Sequence, residues 1–301
     1  MRGRNGILRF YFFDAKSEEK SNIKMVPNRV AVVTGANKGI GYFVALQLGL
    51  SGLFSDIILG CRDSARGATA MNEIQGKINE RLSNVKVHSL SLEIGNDQSQ
   101  TKFCERMEQE FGGTVDVLVN NAGFAYKGAD PTPFKGQTAK TLQTNYHGLV
   151  AFTQQMLPFL RKGTDPRIVN VASMAGRIRQ VSPKLQSKFT DPQLTIPELN
   201  GLMKSFEDDV QSGAHKQNGW SNSNYGMSKL GVIAATRVFA REEAVNNISV
   251  TSCCPGYCDT DMTSHRGHRS PAEGSKNAVI PATMENPPTG VHFADYQVSP
   301  W

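Results

Sequence analysis

The alternation of short β-branched runs with longer amphipathic stretches leaves this chain very few architectures. Residues 30–34 form a continuous Val-rich apolar run, as a strand buried on both faces requires. Helical spacing follows over 40–50. The pattern then repeats, with strand-like runs at 57–61, 85–92, 115–120, 168–173 and 248–253, and helical segments near 64–82, 97–111, 137–162 and 225–245. Strands separated by helices of that length build right-handed βαβ units. A last short strand is expected over 291–294. The fold class is therefore α/β, a Rossmann-type doubly wound parallel sheet of about seven strands in one domain over 25–301.

One stretch breaks the rhythm. Residues 174–224 lie between a strand and the next long helix, far beyond an ordinary connection. Thr195 and Glu198 have the spacing of a capping box, and Leu199, Leu202, Met203, Phe206 and Val210 follow at helical intervals, so a helical insertion packed on the domain is expected. The region from Ser270 onward is rich in proline and thin in apolar residues, and specifies little by itself. Residues 1–24 read as an appended, disordered extension, with Met25 as a natural start; they lack the cleavage site of a secretory signal.

Composition excludes several function classes. The net charge of +6 is mild, and residues 1–28 contribute half of it. Elsewhere Lys and Arg alternate with Glu and Asp as on solvated helix faces, without the basic, aromatic-laced block of a nucleic-acid binder. No apolar run reaches the ~18 residues of a membrane span. The five cysteines, Cys61, Cys104, Cys253, Cys254 and Cys258, form neither a disulfide framework nor a zinc pattern, so no metal is expected and a reducing, cytoplasmic setting fits. His265 and His268 read as part of an exposed loop.

The segment Thr34-Gly35-Ala36-Asn37-Lys38-Gly39-Ile40-Gly41 closes the first strand and opens the first helix. Glycines there permit a tight turn and close approach of backbone to phosphate, and the helix N-terminus supplies free N–H groups. The next strand ends in Gly60, Cys61 and Arg62. A carboxylate at that position would accept from a ribose 2′-hydroxyl; a guanidinium instead grips a 2′-phosphate. With Lys38 nearby, the expected cofactor is NADPH rather than NADH. Asp63 reads as a helix N-cap.

Tyr225 and Lys229 stand at i and i+4, on one helix face. An ammonium near a phenol lowers its pKa from about 10 and equips it for proton transfer. Ser173 ends a strand at the carboxyl edge of the sheet, where open α/β sheets bind ligands, and its hydroxyl is suited to hold a substrate carbonyl. Asn145 lies inside a helical stretch that it disfavours, suited to fix a water near Lys229 or to mark a helix kink.

With these motifs in hand, the chain resembles the short-chain dehydrogenase/reductase family across nearly all of its length from Met25. The matching elements are the glycine segment 34–41, Asn120-Asn121-Ala122-Gly123, Asn145, Ser173, Tyr225 with Lys229, and Pro255-Gly256. More narrowly it is similar to the animal monomeric NADPH-dependent carbonyl reductases, through 35–41, 130–134, 201–203, 253–256 and the insertion before Tyr225. The resemblance implies a catalytic tetrad of Asn145, Ser173, Tyr225 and Lys229, with Ser173 and Tyr225 on the substrate. It implies cofactor contacts from Gly35, Asn37, Lys38, Gly39, Ile40 and Gly41, from Arg62, and from Glu93 and Ile94 at the adenine. Asn121, Ala122 and Gly123 would meet the adenosine side, Lys229 the nicotinamide ribose, and Pro255, Gly256, Cys258, Asp259 and Thr260 the nicotinamide end.

The substrates implied are small carbonyl compounds: quinones, aromatic ketones, aldehydes and prostaglandins. The insertion implies a monomer, because it covers the face that other members use to oligomerise. Glutathione or its adducts are implied near Tyr126, Lys127, Gly128, Gln137 and Asn224, with Cys254 as a modification point or simply a small buried residue. Four positions depart from the subgroup, the first being Glu93, which stands for an Asp at the adenine. Tyr257 stands for a Trp, Cys258 for an aliphatic and Asp259 for a basic residue, and an acid at 259 disfavours a phosphorylated cofactor. Two other readings stay open at this point: a dehydrogenase dedicated to one steroid, retinoid or prostaglandin, and an NADPH-binding sensor without turnover.

Overall fold

The computed structural model describes residues 28–301, so the extension 1–24 and the start at Met25 lie outside the described residues. The strands are β1 (Val30–Thr34), β2 (Asp56–Cys61), β3 (Lys86–Ser91), β4 (Val117–Asn120), β5 (Arg167–Val171), β6 (Ser249–Cys254), β7 (His292–Ala294) and β8 (Gln297–Ser299). They form one sheet in the order β3-β2-β1-β4-β5-β6-β7-β8. The first seven run parallel, and β8 turns back antiparallel on β7. This eighth strand was not expected; three residues with little apolar content give no sequence signal.

Between strands lie α1 (Gly39–Leu50), α2 (Ser64–Asn79), α3 (Asp97–Phe111), α4 (Phe134–Leu142), α5 (Gly148–Leu160), α6 (Pro183–Phe189), α7 (Ile196–Ser212), α8 (Asn224–Glu242) and α9 (Pro271–Thr283). Both faces of the sheet are covered. Along β1, Ala31 and Val33 join Leu48 of α1, Ile74 of α2 and Ala278 of α9 in one core. Val32 joins Phe103 of α3, Phe152 of α5 and Leu230 of α8 in the other. Alternate side chains of the same strand are thus buried on opposite faces, which explains its unbroken apolar run.

The insertion folds as expected. Thr195 and Glu198 form the capping box that starts α7, and Leu199, Met203, Phe206 and Val210 are buried. The helix lies against α4 and α8. The C-terminal region is better specified than its composition suggests. Ser270 and Glu273 make a second capping box, Pro271 occupies the first turn, and α9 packs on α1. The chain ends with the Trp301 indole donating to the Gly176 carbonyl at 2.9 Å.

Chain order reverses between β1 and β4: the path runs outward to β3 on one side, then crosses to β4 and outward again. At such a switch point the loops leaving the strand ends diverge and open a crevice.

Away from the crevice, His292 on β7 is buried, with Nδ1 2.9 Å from Ser252 Oγ and Nε2 without a partner. Burial drops it from its ordinary 6.5 to about 4. Between those values the unfolded chain holds a proton that the folded chain refuses, so stability is lost as pH falls through that window. The loss reaches roughly 3 kcal/mol near the lower end. His292→Gln is expected to flatten the fall in melting temperature between about pH 6.5 and pH 4. An unchanged slope would remove His292 from the account.

Candidate active site

The first wall of the crevice is the turn from β1 into α1. Gly35 and Gly39 hold φ of +66° and +58°, left-handed values that disfavour side chains. A Cβ on Gly41 would stand 2.4 Å from Asn121 Nδ2 and 2.5 Å from the Gly35 carbonyl oxygen. Bare backbone is therefore a steric requirement of this turn. Lys38 occupies the N-cap of α1 without making a side-chain cap, whereas Asp63, Asn96, Thr195, Ser223 and Ser270 cap α2, α3, α7, α8 and α9. The first N–H groups of α1 are left to an external acceptor, as an anion site requires. Asn37 and Ile40, both half-buried, complete the turn.

The facing wall follows β4. Thr34 Oγ1 accepts from the N–H groups of Asn121 (3.0 Å) and Ala122 (2.9 Å), and Asn121 Nδ2 donates to the carbonyl oxygens of Thr34 (2.9 Å) and Gly35 (3.2 Å). The Asn121 amide thus braces the glycine turn from the facing wall. Gly123 lies on the chemistry side: a Cβ there would be 3.6 Å from Asn145 Oδ1 and 3.7 Å from Lys229 Nζ. Arg62, beyond β2, is 78% exposed, and its ion pair to Glu93 spans 3.9 Å. A contact that long and that exposed leaves the guanidinium open to a stronger anion. Ile94 is buried beside Glu93.

Tyr225 and Lys229 both lie on the first turns of α8, which Ser223 caps. The ammonium of Lys229 stands 5.8 Å from the centre of the Tyr225 ring and donates to the Val171 carbonyl at the end of β5 (2.7 Å). Lys229 is buried, and desolvation lowers it to about 8. Desolvation pushes the Tyr225 phenol up to about 12; Cys254 adds to the rise, and the Ser173 hydroxyl bonded to the phenol opposes it. In the free protein burial outweighs the expected lowering of the phenol by Lys229. The ammonium sits against the ring and Val171, and burial dominates both groups. The phenol consequently holds its proton until a base arrives.

Ser173 caps a 3-10 turn, Met174–Gly176, by accepting from the Ala175 N–H at 3.1 Å. That turn lies flush on α8, because a Cβ at Gly176 would meet the Lys229 carbonyl carbon at 2.7 Å. Absence of a side chain there brings Ser173 to Tyr225. Asn145 sits in a π-helical turn, Gln143–His147, that interrupts the α-helical hydrogen bonding between α4 and α5. Its amide is fully buried: Nδ2 donates to Phe124 O (2.8 Å) and Ser228 Oγ (3.1 Å), and Oδ1 accepts from Phe124 N (2.7 Å). One lone pair of Oδ1 remains for a water. Ser228 escaped the sequence reading, although its place beside Lys229 in the same motif was a usable signal.

Beyond β6, Gly256 holds φ +85° and Pro255 is buried. Cys258 is turned inward, its thiol donating to the Pro255 carbonyl at 3.3 Å, and burial lifts it to about 11. It packs rather than reacts. The methyl of Thr260 would lie 3.4 Å from a Cβ on Gly39, so this loop closes directly over the glycine turn. Asp261, also missed, pairs with Lys38 across that seam, and Asp259 pairs with His265.

The expected glutathione residues divide. Asn224 is buried and engaged with Thr138 (2.9 Å) and Phe134 O (2.8 Å), and Gln137 donates to Thr132 O (2.7 Å). Lys127 and Gly128 are exposed, with Tyr126 edge-on to Phe124. Cys254 is buried beside Tyr225, its sulfur accepting from the N–H groups of Met174 (3.2 Å) and Gly256 (3.4 Å). Among the described residues no cluster of His, Cys, Asp or Glu is arranged to hold a metal.

A crevice with uncapped helix N–H groups, flanked by a Ser, a Tyr and a buried Lys, invites comparison with known proteins. The sequence model for short chain dehydrogenases matches residues 29–185 and 209–270. The chain belongs to the short chain dehydrogenase family. The unmatched stretch, 186–208, falls within the helical insertion, which is thus an elaboration of this short chain dehydrogenase on the shared fold. Similar curated proteins include carbonyl reductase (NADPH) 1 of Rattus norvegicus, 39% identical over 282 residues, covering 90% of this chain and 98% of that one. The protein of the same name from Homo sapiens is 38% identical over 283 residues, with the same coverage of 90% and 98%. Among solved structures, salutaridine reductase from Papaver somniferum superposes with a TM-score of 0.77 at 28% identity, covering 89% of this chain and all of that one.

Proposed function

We propose that this short chain dehydrogenase is an NADPH-dependent carbonyl reductase whose proton donor is Tyr225. One observation carries the reading: a protonated phenol, a serine hydroxyl and a buried ammonium converge at the carboxyl edge of the sheet, next to a glycine turn and an uncapped helix N-terminus. Curated relatives bearing the name carbonyl reductase (NADPH) match nearly end to end.

The residues fit the cofactor. The α1 N–H groups would take its pyrophosphate, Arg62 and Lys38 its 2′-phosphate, and Lys229 its nicotinamide ribose. When bound, NADPH supplies the hydride that reduces the carbonyl carbon. The chain does the rest. Ser173, whose hydroxyl bonds the phenol in the free protein, would turn its proton to the substrate oxygen and orient it. Tyr225 gives its proton to the same oxygen as negative charge builds there. Lys229 stabilises the phenolate left behind, and a water on Asn145 Oδ1 offers a route for reprotonation. Burial keeps the phenol protonated at neutral pH, the state in which it can serve as the acid of a reduction.

Tyr257 and Met262 are exposed at 47% and 43% on the loop that closes over the glycine turn. They offer apolar surface to quinones, aromatic ketones, aldehydes and prostaglandin-like lipids. The turn at 126–128 is open to a glutathione adduct, but Asn224 and Gln137 are already spent within the fold. No helix among the described residues is long and apolar enough to cross a membrane. A monomer fits, because α7 covers α4 and α8.

Incubation with 4-deuterated NADPH and an aromatic ketone should give the secondary alcohol carrying deuterium on carbon. Recovery of unlabelled ketone alone would refute the activity. Arg62→Ser is expected to weaken NADPH about ten- to a hundredfold and to leave NADH unaffected, the loss of hydrogen bonds to a charged group. Equal effects on both cofactors, measured by calorimetry, would contradict the assignment of Arg62.

A further inference from the structure

Four charged side chains form a chain across the seam between the glycine turn and the loop after β6. His265 Nδ1 is 2.7 Å from Asp259 Oδ1, and Nε2 is 3.0 Å from Asp261 Oδ1. The other oxygen of Asp261 accepts from the Lys38 ammonium. Carboxylates only accept, so each ring nitrogen of His265 faces an acceptor and both must donate. A neutral imidazole would turn a lone pair toward one carboxylate; the imidazolium alone satisfies this geometry. With His265 charged, the cluster holds two negative and two positive charges. When it is neutral, a net negative charge stands at the lip of the cleft, where Lys38 and the Thr260–Gly39 contact put it beside the glycine turn.

We propose that His265 is a specificity-determining residue for the cofactor: its imidazolium cancels the acidity of Asp259 and Asp261 and so admits the extra phosphate that distinguishes NADPH from NADH. The inference rests on the NADPH reading above. The hydrogen bonds to Asp259 and then Asp261 raise His265 above its ordinary value, favouring the imidazolium that the geometry requires. As pH rises through that raised value the imidazolium is lost, and discrimination for NADPH falls with it. Arg269, which accepts the Asp259 N–H on its own carbonyl, directs its guanidinium to Asp295 and does not replace it. All four side chains are at least half exposed, so the effect is modest.

The test is calorimetric binding of NADPH and NADH between about pH 7 and pH 9, above the second ionisation of a phosphate monoester near pH 6. Lys229 titrates in the same window, but it would hold the ribose common to both cofactors, so it cancels in the ratio of their dissociation constants. For the wild type that ratio should shrink about two- to fivefold across the range, as expected for exposed charges. His265→Gln should stay at the low ratio throughout, and His265→Lys at the high one. If His265→Gln keeps the wild-type pH dependence, the role of His265 is overturned while the NADPH reading stands. If the wild type binds both cofactors equally at every pH, that reading fails and takes this inference with it.

Discussion

Tyr225→Phe is expected to lower kcat by about a hundred- to ten-thousandfold, the range for losing a positioned general acid, with the dissociation constant of NADPH changed less than about threefold. The substitution removes one oxygen and little else. The ring that stands 5.8 Å from the Lys229 ammonium is retained, so Lys229 keeps its place on Val171 O. Ser173 still caps its own turn through Ala175. What disappears is the phenolic proton beside Ser173, on a group that burial holds protonated far above neutral pH. Stopped-flow turnover and a parallel binding titration separate the two effects. Retention of more than about a tenth of wild-type kcat would assign the proton to another donor.

Lys229→Met should damage catalysis and strengthen the fold. A fall from the ordinary 10.5 to about 8 corresponds to roughly 3 kcal/mol against the charged form. Methionine fills similar volume without that cost, although Val171 O loses its donor, worth about 1 kcal/mol. A net gain of roughly 2 kcal/mol raises the melting temperature of the apo protein by about 5 °C. The pH dependence has a definite sign. The folded chain refuses a proton that the unfolded chain holds between about 8 and 10.5. The wild-type penalty is therefore complete at and below pH 8 and fades as pH rises toward the unfolded value. The advantage of the variant should shrink over the same interval. Its kcat/KM should fall about a hundredfold or more, since both phenolate stabilisation and the ribose contact go. A variant less stable than wild type at pH 7 would show that the buried ammonium is compensated by contacts beyond Val171.

Much of this was legible in the sequence because the signals were local. A Val-rich run followed by Gly35, Gly39 and Gly41 has few folded outcomes, and the i, i+4 spacing of Tyr225 and Lys229 fixes a shared helix face. Ser173 at a strand end places itself on the carboxyl edge. The hidden parts depend on distance or on environment. Lys38 and Asp261 are 223 residues apart in sequence, and no local pattern announces their meeting. The direction in which Tyr225 shifts depends on how much protein surrounds its hydroxyl, a property of packing. The helix α9 carried the same capping signal as α7, in Ser270 and Glu273, but Pro271, Pro281 and few apolar residues masked it. The bracing of the glycine turn by the Asn121 amide was hidden as well, because an amide looks equally suited to bracing a turn and to contacting a nucleoside.

The most direct measurement is the fall in dihydronicotinamide absorbance when the full chain meets NADPH with a quinone, an aromatic ketone and an aldehyde in turn, with NADH run alongside. The account predicts consumption of NADPH with more than one of the three and much slower consumption of NADH. Binding of NADPH without its consumption on any of them would contradict the claim that this cleft reduces carbonyl groups.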